Sequence, residues 1–230
     1  MRAFFIFTIT FFVQLNGVAQ KKQAAFWRYG INNGFNFNIY PASIYRTKSE
    51  FISGAASVCD SNGTLQFSFN GSLFYDNKDS VIANLVPLEF SGIPYGGYDA
   101  MLIVPFQSNS FQYHVFSMRD GPFPPNLFRM VFDMRRNKGL GGWDTSKTKV
   151  IDINVAYQLT CLLHANGKDT WLVSRRSNSD TLIAWQIQDS GVVKTIKSKI
   201  HSPVPDPNVD NIPLNNSFDC SLNLQQIVNF

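Results

Sequence analysis

Residues 55–69, AASVCDSNGTLQFSF, combine two apolar strand-like runs with the polar turn Asp60-Ser61-Asn62-Gly63. Successive side chains of a β-strand point to opposite faces, so the alternation of Leu65, Phe67 and Phe69 with polar residues predicts a half-buried strand. The turn suits a tight hairpin whose last position needs positive φ, and the following Asn70-Gly71 is a strong two-residue hairpin signal. This stretch therefore predicts an antiparallel sheet with one face in a core.

The same strand, turn and strand recur twice further along the chain, at residues 100–118 and 159–174, and the three turns begin at residues 60, 107 and 166. Alternating apolar residues at Phe128–Phe132 and Ile183–Ile187 predict further strands facing one core. A repeat of this length is close to the roughly 40–50 residues of a propeller blade, which has four strands.

We therefore predict an all-β fold: a partial β-propeller of three four-stranded antiparallel blades and the start of a fourth. The predicted propeller region is 20–201, with blades at about 51–98, 99–150 and 151–201, and 26–50 is a strand segment leading into the first. Residues 202–230 are a connection rich in Pro and Asn followed by the start of a further blade, in which the turn near Leu222 lacks Pro and Gly.

Residues 1–19 have the pattern of a secretory signal peptide: Arg2, an apolar run from Ala3 to Val13, and Gly17-Val18-Ala19 at the cleavage site. The apolar run is shorter than the roughly 20 residues that a membrane span requires. We expect cleavage after Ala19 and no transmembrane span. The predicted location is the periplasm in transit, then the outer cell surface or the medium.

Composition excludes several classes of protein. The chain has 230 residues, 44% hydrophobic and 16% charged, against roughly 25% charged residues in typical soluble domains. This excludes a coiled coil or a charge-rich disordered chain. The net charge of +4 is spread along the chain and forms no basic stripe, so nucleic acid is not an expected partner.

Three cysteines cannot form a disulfide framework. Cys59 and Cys161 lie in apolar strand-like runs and are expected to act as small buried hydrophobic residues, although an oxidising compartment would permit a bridge between them. Cys220 lies in a more polar stretch. There is no CxxC pair, so a zinc ribbon is excluded.

The chain resembles the secreted WD40-like β-propeller domains of Bacteroidetes-type surface proteins, which are associated with gliding motility and type IX secretion. The resemblance spans about residues 26–203. It is carried by 26–30 (FWRYG), 33–37 (NGFNF), 55–67, 102–105 (LIVP), 113–116 (YHVF), 132–134 (FDM), 137–141 (NKGLG) and 164–173 (HANGKDTWLV). It implies a ring of about seven blades and a sorting domain, whereas the sequence predicts three blades and the start of a fourth, and we identify no sorting domain in it. It implies no catalytic residues.

Candidate chemistry is sparse. His164, before Asn166-Gly167 and Asp169, is expected to hydrogen-bond its turn rather than act as a base. His114 and His201 have no partner motif, and the Asp60 turn lacks the downstream Glu of a calcium loop. Six candidate acids for glycoside hydrolysis show no selective spacing: Asp60, Glu89, Asp99, Asp120, Asp133 and Asp152.

Seven aromatic residues are candidates for stacking on sugars, although packing between blades is their expected role: Trp27, Tyr29, Phe35, Phe37, Trp143, Trp171 and Trp185. No GxSxG, Walker or GxGxxG string supports acyl transfer or nucleotide binding.

We therefore predict an exported, non-catalytic binding or scaffold module without metal or cofactor. Its expected partner is a protein or polysaccharide at the cell surface, and an open blade edge would allow association. Two alternatives stay open: a propeller hydrolase or lyase acting on polysaccharide, and a nonfunctional truncated fragment. A pocket with clustered carboxylates or a His pair of shifted pKa would favour the enzyme, and an exposed aromatic groove would favour binding.

Overall fold

The computed structural model describes residues 22–51, 55–84, 101–119, 126–156 and 158–200. The predicted signal peptide, the predicted start of a further blade, Cys220 and His201 lie outside these residues, as do Glu89, Asp99 and Asp120. None of the described helical segments is long and apolar enough to cross a membrane.

The described residues form four antiparallel sheets and three short 3-10 turns, and no α-helix occurs among them. Sheet I pairs β1 (Phe26–Asn36) with β2 (Ser43–Phe51). Sheet II is a meander of β3 (Ala56–Cys59), β4 (Leu65–Phe69), β5 (Leu73–Tyr75) and β6 (Val81–Asn84). The prediction of an all-β, antiparallel fold is confirmed.

Sheet III contains β7 (Met101–Pro105), β8 (Gln112–Arg119), β9 (Asn126–Asp133), β10 (Gly142–Trp143) and β11 (Lys149–Ile153). Sheet IV is a meander of β12 (Thr160–Leu163), β13 (Thr170–Arg175), β14 (Thr181–Gln188) and β15 (Gly191–Lys199). Sheets II and IV fall in the first and third predicted blade segments, whereas sheet III extends past the predicted boundary at residue 150 because β11 ends at Ile153.

Sheet III differs from the predicted four strands because two strands share one edge. Both β10 and β11 pair with β9, β10 near Asp133 and β11 near Asn126. A 3-10 turn at Asn137–Gly139, whose three residues all adopt positive φ, precedes β10, and a second 3-10 turn at Thr145–Lys147 separates β10 from β11. These turns divide the edge of the sheet into two short pairings.

The hairpin turns form where the sequence predicts them. The Asp60 carboxylate accepts hydrogen bonds from the backbone N–H groups of Asn62 and Thr64, and Gly63 adopts a φ of 86°. Asn70 uses its side-chain oxygen in the same way for Ser72 and Leu73. In both turns an Asx side chain replaces a backbone acceptor, so the turns are specified locally.

Sheet III is covered by a neighbouring sheet on each face. Along β7 and β8, Ile103 and Val115 face a core shared with sheet II, whereas Val104 and Phe116 face a second core shared with sheet IV. The expectation of one common core is therefore wrong. The chain forms separate cores because the middle sheet is apolar on both faces.

The core between sheets II and III is largely aromatic. Phe67 is fully buried, and its ring centroid lies 4.2 Å from that of Phe132 and 5.2 Å from that of Tyr113. Phe74 extends the cluster, with its centroid 4.6 Å from Phe132. Aromatic pairs at these separations add to the free energy of burial, so this core contributes strongly to stability.

Both predicted core cysteines are buried with free thiols. Cys59 packs beside Ala25 and Leu65, and Cys161 lies in the core between sheets III and IV. Burial raises the pKa of the Cys59 thiol to about 11 and that of Cys161 to about 12. The two residues belong to different cores, and the structure contains no bridge between them.

Replacing Phe67 with alanine should lower the free energy of unfolding by about 3–5 kcal/mol, because it leaves a cavity between two sheets. Phe111→Ala is the matched control, since Phe111 is 53% exposed, and it should change stability by less than about 0.5 kcal/mol. Urea unfolding followed by circular dichroism measures both values. Equal effects of the two substitutions would contradict the stacked arrangement.

Candidate functional site

A cleft of about 490 Å³ opens between sheets III and IV at the end where their hairpin turns meet. The turn after β7 contributes Gln107 and Ser108, and the turn after β14 contributes Gln188 and Asp189. The turn before β13 adds Lys168 and Asp169. Hairpin turns of two sheets thus bring polar residues together over the apolar core that lies beneath.

Asp189 connects the turns of the two sheets. Its carboxylate accepts hydrogen bonds from the backbone N–H of Gln107 at 2.8 Å and of Ser108 at 2.9 Å, and from the Ser108 hydroxyl. Burial alone would raise the pKa of Asp189, but these hydrogen bonds outweigh it and hold the pKa below its ordinary value. The carboxylate is therefore ionised and engaged in joining sheets III and IV.

His114 lies at the base of the cleft and is almost fully buried. Its Nδ1 accepts a hydrogen bond from Arg129 Nε at 2.9 Å, so Nε2 carries the proton and donates it to the Gln188 carbonyl at 3.0 Å. Burial and the Arg129 guanidinium lower the pKa of His114 to about 3. His114 is a neutral residue that links the two sheets.

Arg129 is a charged residue inside an apolar strand. It is 6% exposed, and besides His114 it donates from Nη2 to the Asp189 carbonyl at 3.4 Å. Burial lowers its pKa. Gly191 lies against its guanidinium, and a Cβ there would be 3.1 Å from Arg129 Cζ. The position of the turn after β14 thus depends on Arg129 and His114 together.

Asp169 is held by two glutamine side chains. Its Oδ2 accepts hydrogen bonds from Gln186 and Gln188, and its backbone N–H donates to Asn166 Oδ1. These side-chain hydrogen bonds, with that of Gln188 the strongest, lower the pKa of Asp169. His164 Nδ1 accepts from the Asn166 N–H at 3.0 Å, and its ring lies 5.4 Å from Trp171. His164 thus stabilises its own turn, whereas the Asp169 side chain connects that turn to β14.

The other described candidate acids have separate partners. Asp60 accepts from its own turn and from Gln66, Asp133 pairs with Arg135 at 2.6 Å, and Asp152 pairs with Arg176 at 2.9 Å. Within the described ranges, no three His, Cys, Asp or Glu residues are arranged to hold a metal ion.

Four of the seven candidate aromatics form a row on the outer face of sheet I. The ring centroids of Trp27 and Phe37 are 5.0 Å apart, those of Phe37 and Phe35 are 5.8 Å apart, and those of Phe35 and Tyr29 are 5.0 Å apart. Trp27, Tyr29 and Phe37 are each 40% exposed. We call these four residues the aromatic row.

The aromatic row forms because β1 bends sharply within its length. Gly30 and Asn32 both adopt positive φ, and the Phe37 N–H donates to the Ala25 carbonyl at 2.7 Å. The chain therefore turns back so that residues 27 and 29 contact residues 37 and 35. The sequence indicated the aromatic residues but not the bend, which requires a non-glycine residue at positive φ.

The remaining three aromatics have other environments. Trp185 is 1% exposed in the core between sheets III and IV. Trp143 packs against the core between sheets II and III and donates from Nε1 to Thr148 Oγ1 at 2.7 Å. Trp171 is half-buried on sheet IV beside His164. Packing between sheets is thus the role of Trp185 and Trp143 but not of the aromatic row.

An ion pair attaches sheet I to sheet II. Arg28 Nη2 lies 2.6 Å from Asp79 Oδ1, and both side chains are largely buried. The Asp79 carboxylate also accepts from the Ser49 hydroxyl at 3.1 Å and from the Lys48 N–H at 3.2 Å. One carboxylate in the turn between β5 and β6 thereby positions both strands of sheet I.

No family model, curated protein or solved structure matches this chain.

Substituting His114 should change how stability depends on pH. Folded His114, with a pKa of about 3, stays neutral where the unfolded chain, with a His pKa near 6.5, takes up a proton. The unfolded state binds more protons in this interval, so the free energy of unfolding falls as pH falls from about 6.5 towards 3, by up to about 1.4 kcal/mol per pH unit.

His114→Gln should remove this part of the slope in urea unfolding measured between pH 6.5 and 4.5. The carboxylates of lowered pKa lose their contribution mainly below this interval. Val115→Ala, a fully buried neighbour on the same strand, should lower stability but keep the slope. Parallel slopes in wild type and His114→Gln would show that His114 takes up protons in the folded state.

Proposed function

We propose that this protein is an exported, non-catalytic binding or scaffold module built from β-propeller-type sheets, acting at the cell surface. The observation that carries the proposal is that the ionisable side chains of the cleft are engaged in hydrogen bonds that hold the fold together. His114, Asp169 and Asp189 each have internal hydrogen-bond partners and a pKa shifted away from neutrality.

General acid–base catalysis requires a group that exchanges protons near the working pH. His114 is neutral and its two ring nitrogens are both engaged. The Asp189 carboxylate is held ionised by donors from the turn after β7, and that of Asp169 by Gln186 and Gln188 of β14. This supports a binding role over the alternative of a polysaccharide hydrolase or lyase.

The propeller part of the proposal is supported by the succession of sheets along the chain. Sheets II and IV are sequential four-stranded meanders, and sheet III lies between them with both faces covered. In a propeller each blade covers the apolar face of the next in this way. The resemblance of residues 26–203 to secreted propeller domains supports the same interpretation.

The absence of catalysis is tested by incubating the full chain with a panel of neutral and acidic polysaccharides. We expect retention on one or more of them, or on isolated cell-surface protein, without release of reducing ends or unsaturated products. Product release that disappears in Asp169→Asn or Asp189→Asn, with folding retained, would establish the enzyme alternative. The control is Asp144→Asn, since Asp144 lies outside the cleft and pairs with Arg136 at 3.1 Å.

Export is tested by expressing the full sequence in a bacterial host with an intact secretion pathway. The mature protein should leave the cytoplasm with Gln20 as its first residue, because cleavage is expected after Ala19. Mass spectrometry of the intact protein identifies this terminus. A cytoplasmic product that retains residues 1–19 would contradict export.

A further inference from the structure

We propose that the outer face of sheet I binds an acidic polysaccharide, with the aromatic row stacking on the sugar rings and Arg46 and Lys48 contacting their carboxylates. This inference rests on the proposed binding function and specifies its ligand class and surface. It is carried by two independent features of sheet I, the exposed aromatic row and the cations beside it.

The aromatic row is continuous and partly exposed. The three centroid separations lie between 5.0 and 5.8 Å, so the two ring pairs Trp27–Phe37 and Tyr29–Phe35 form one continuous apolar group. Aromatic side chains offer large, rigid contact area at a small cost in conformational entropy. The C–H faces of pyranose rings are apolar, so a sugar chain can pack across the exposed surface of this group.

Arg46 lies beside the aromatic row on the neighbouring strand, and Lys48 follows in the register shift between the Asn33–Arg46 and Ile31–Glu50 pairs. Residues alternate along β2, with Ile44, Arg46, Lys48 and Glu50 exposed and Thr47, Ser49 and Phe51 buried. Phe35 pairs directly with Ile44, and Asn33 with Arg46. Side chains of directly opposed residues lie on the same face, so Arg46 projects beside the aromatic row.

The charged groups of Arg46 and Lys48 are available to contact a ligand. Arg46 Nη1 donates to Asn33 Oδ1 at 2.8 Å, which orients the guanidinium next to the row. Within the part of the chain that the structure describes, neither Arg46 nor Lys48 forms an ion pair with a carboxylate. A guanidinium with free N–H groups is suited to bidentate contact with a carboxylate, which uronic acid units supply.

The inner face of sheet I makes the surface rigid. Arg28 is held by Asp79, and the Tyr45 ring lies against Gly34 so closely that a Cβ there would be 2.4 Å from it. Phe26 packs edge-on against Tyr45 with centroids 5.4 Å apart. Little conformational entropy is therefore lost when a ligand binds the outer face, which favours affinity.

The charged residues on the same face favour a polysaccharide over a second protein copy. Stable protein interfaces bury about 800 Å² per partner and are depleted of Lys and Glu at their centre. Here Ile44 borders the rings, and the charged side chains of Arg46 and Glu50 lie on the same face opposite Asn33 and Ile31. Single-stranded nucleic acid requires a positively charged groove along its whole backbone, which two cations do not provide.

Isothermal titration of the full chain with polygalacturonate tests the proposal, with neutral dextran in a parallel titration. Binding to polygalacturonate should weaken as salt rises, because the contact is partly ionic. Tyr29→Ala with Phe35→Ala should weaken it by roughly tenfold or more. Arg46→Gln with Lys48→Gln should weaken it by roughly threefold to tenfold and flatten the salt dependence.

Matched controls are available elsewhere on the surface. Phe111→Ala removes an exposed aromatic residue and Lys149→Gln an exposed lysine, and neither should alter binding. Urea midpoints and near-ultraviolet circular dichroism show that each variant is folded.

The outcomes distinguish a failure of this inference from a failure of the proposed binding function. Binding that survives both double substitutions would overturn the assignment to sheet I while leaving a binding module. Equal binding of dextran would overturn the acidic class. The chain is also tested for binding to phosphatidylserine vesicles, binding to oligo(dT) and self-association in sedimentation. If one of these replaces polygalacturonate binding and is lost in the Tyr29→Ala/Phe35→Ala variant, that partner replaces the polysaccharide. A chain that binds no glycan and no surface protein would refute both proposals.

Discussion

The structure depends on the burial of both faces of sheet III. A β-strand presents alternate side chains to opposite sides, so a strand that is apolar throughout needs a neighbour on each side. In β8 every described side chain from Tyr113 to Met118 is buried, and the two sides contribute to different cores. Sheets II and IV pack against sheet III because each covers one of its two apolar faces.

Polar contacts at the turns then define how the sheets are aligned. Between sheets III and IV these contacts are made by Asp189, His114 and Arg129, which join turns that are far apart in sequence. Between sheets I and II the Arg28–Asp79 pair has the same role. Buried polar groups of this kind need satisfied partners, so they favour one alignment over others of similar apolar area. Burial and the nearby Arg129 lower the pKa of His114, and the hydrogen bonds to Asp189 lower the pKa of that carboxyl, so His114 is neutral and Asp189 is ionised near neutral pH.

The two proposals follow from the different roles of the cleft residues and the residues on the outer face of sheet I. The titratable groups of the cleft maintain the connection between sheets, whereas the aromatic row and its neighbouring cations are not needed for any core. A contiguous exposed apolar patch favours aggregation, and such patches commonly mark binding surfaces. A binding role for the outer face of sheet I accounts for the cost of keeping three rings 40% exposed.

Local chemistry in the sequence determined the antiparallel strands, the Asx-stabilised turns at Asp60 and Asn70, and the apolar character of Cys59 and Cys161, because each depends on residues close together in the chain. The tertiary structure alone decided the rest. Sequence alternation could not show that sheet III has two covered faces. It also could not show that Arg129, which the alternation places on the polar face of its strand, is buried against His114. The aromatic row likewise arises from the bend in β1. All three features depend on contacts between residues that are separated in the sequence, and such contacts leave no local pattern to detect.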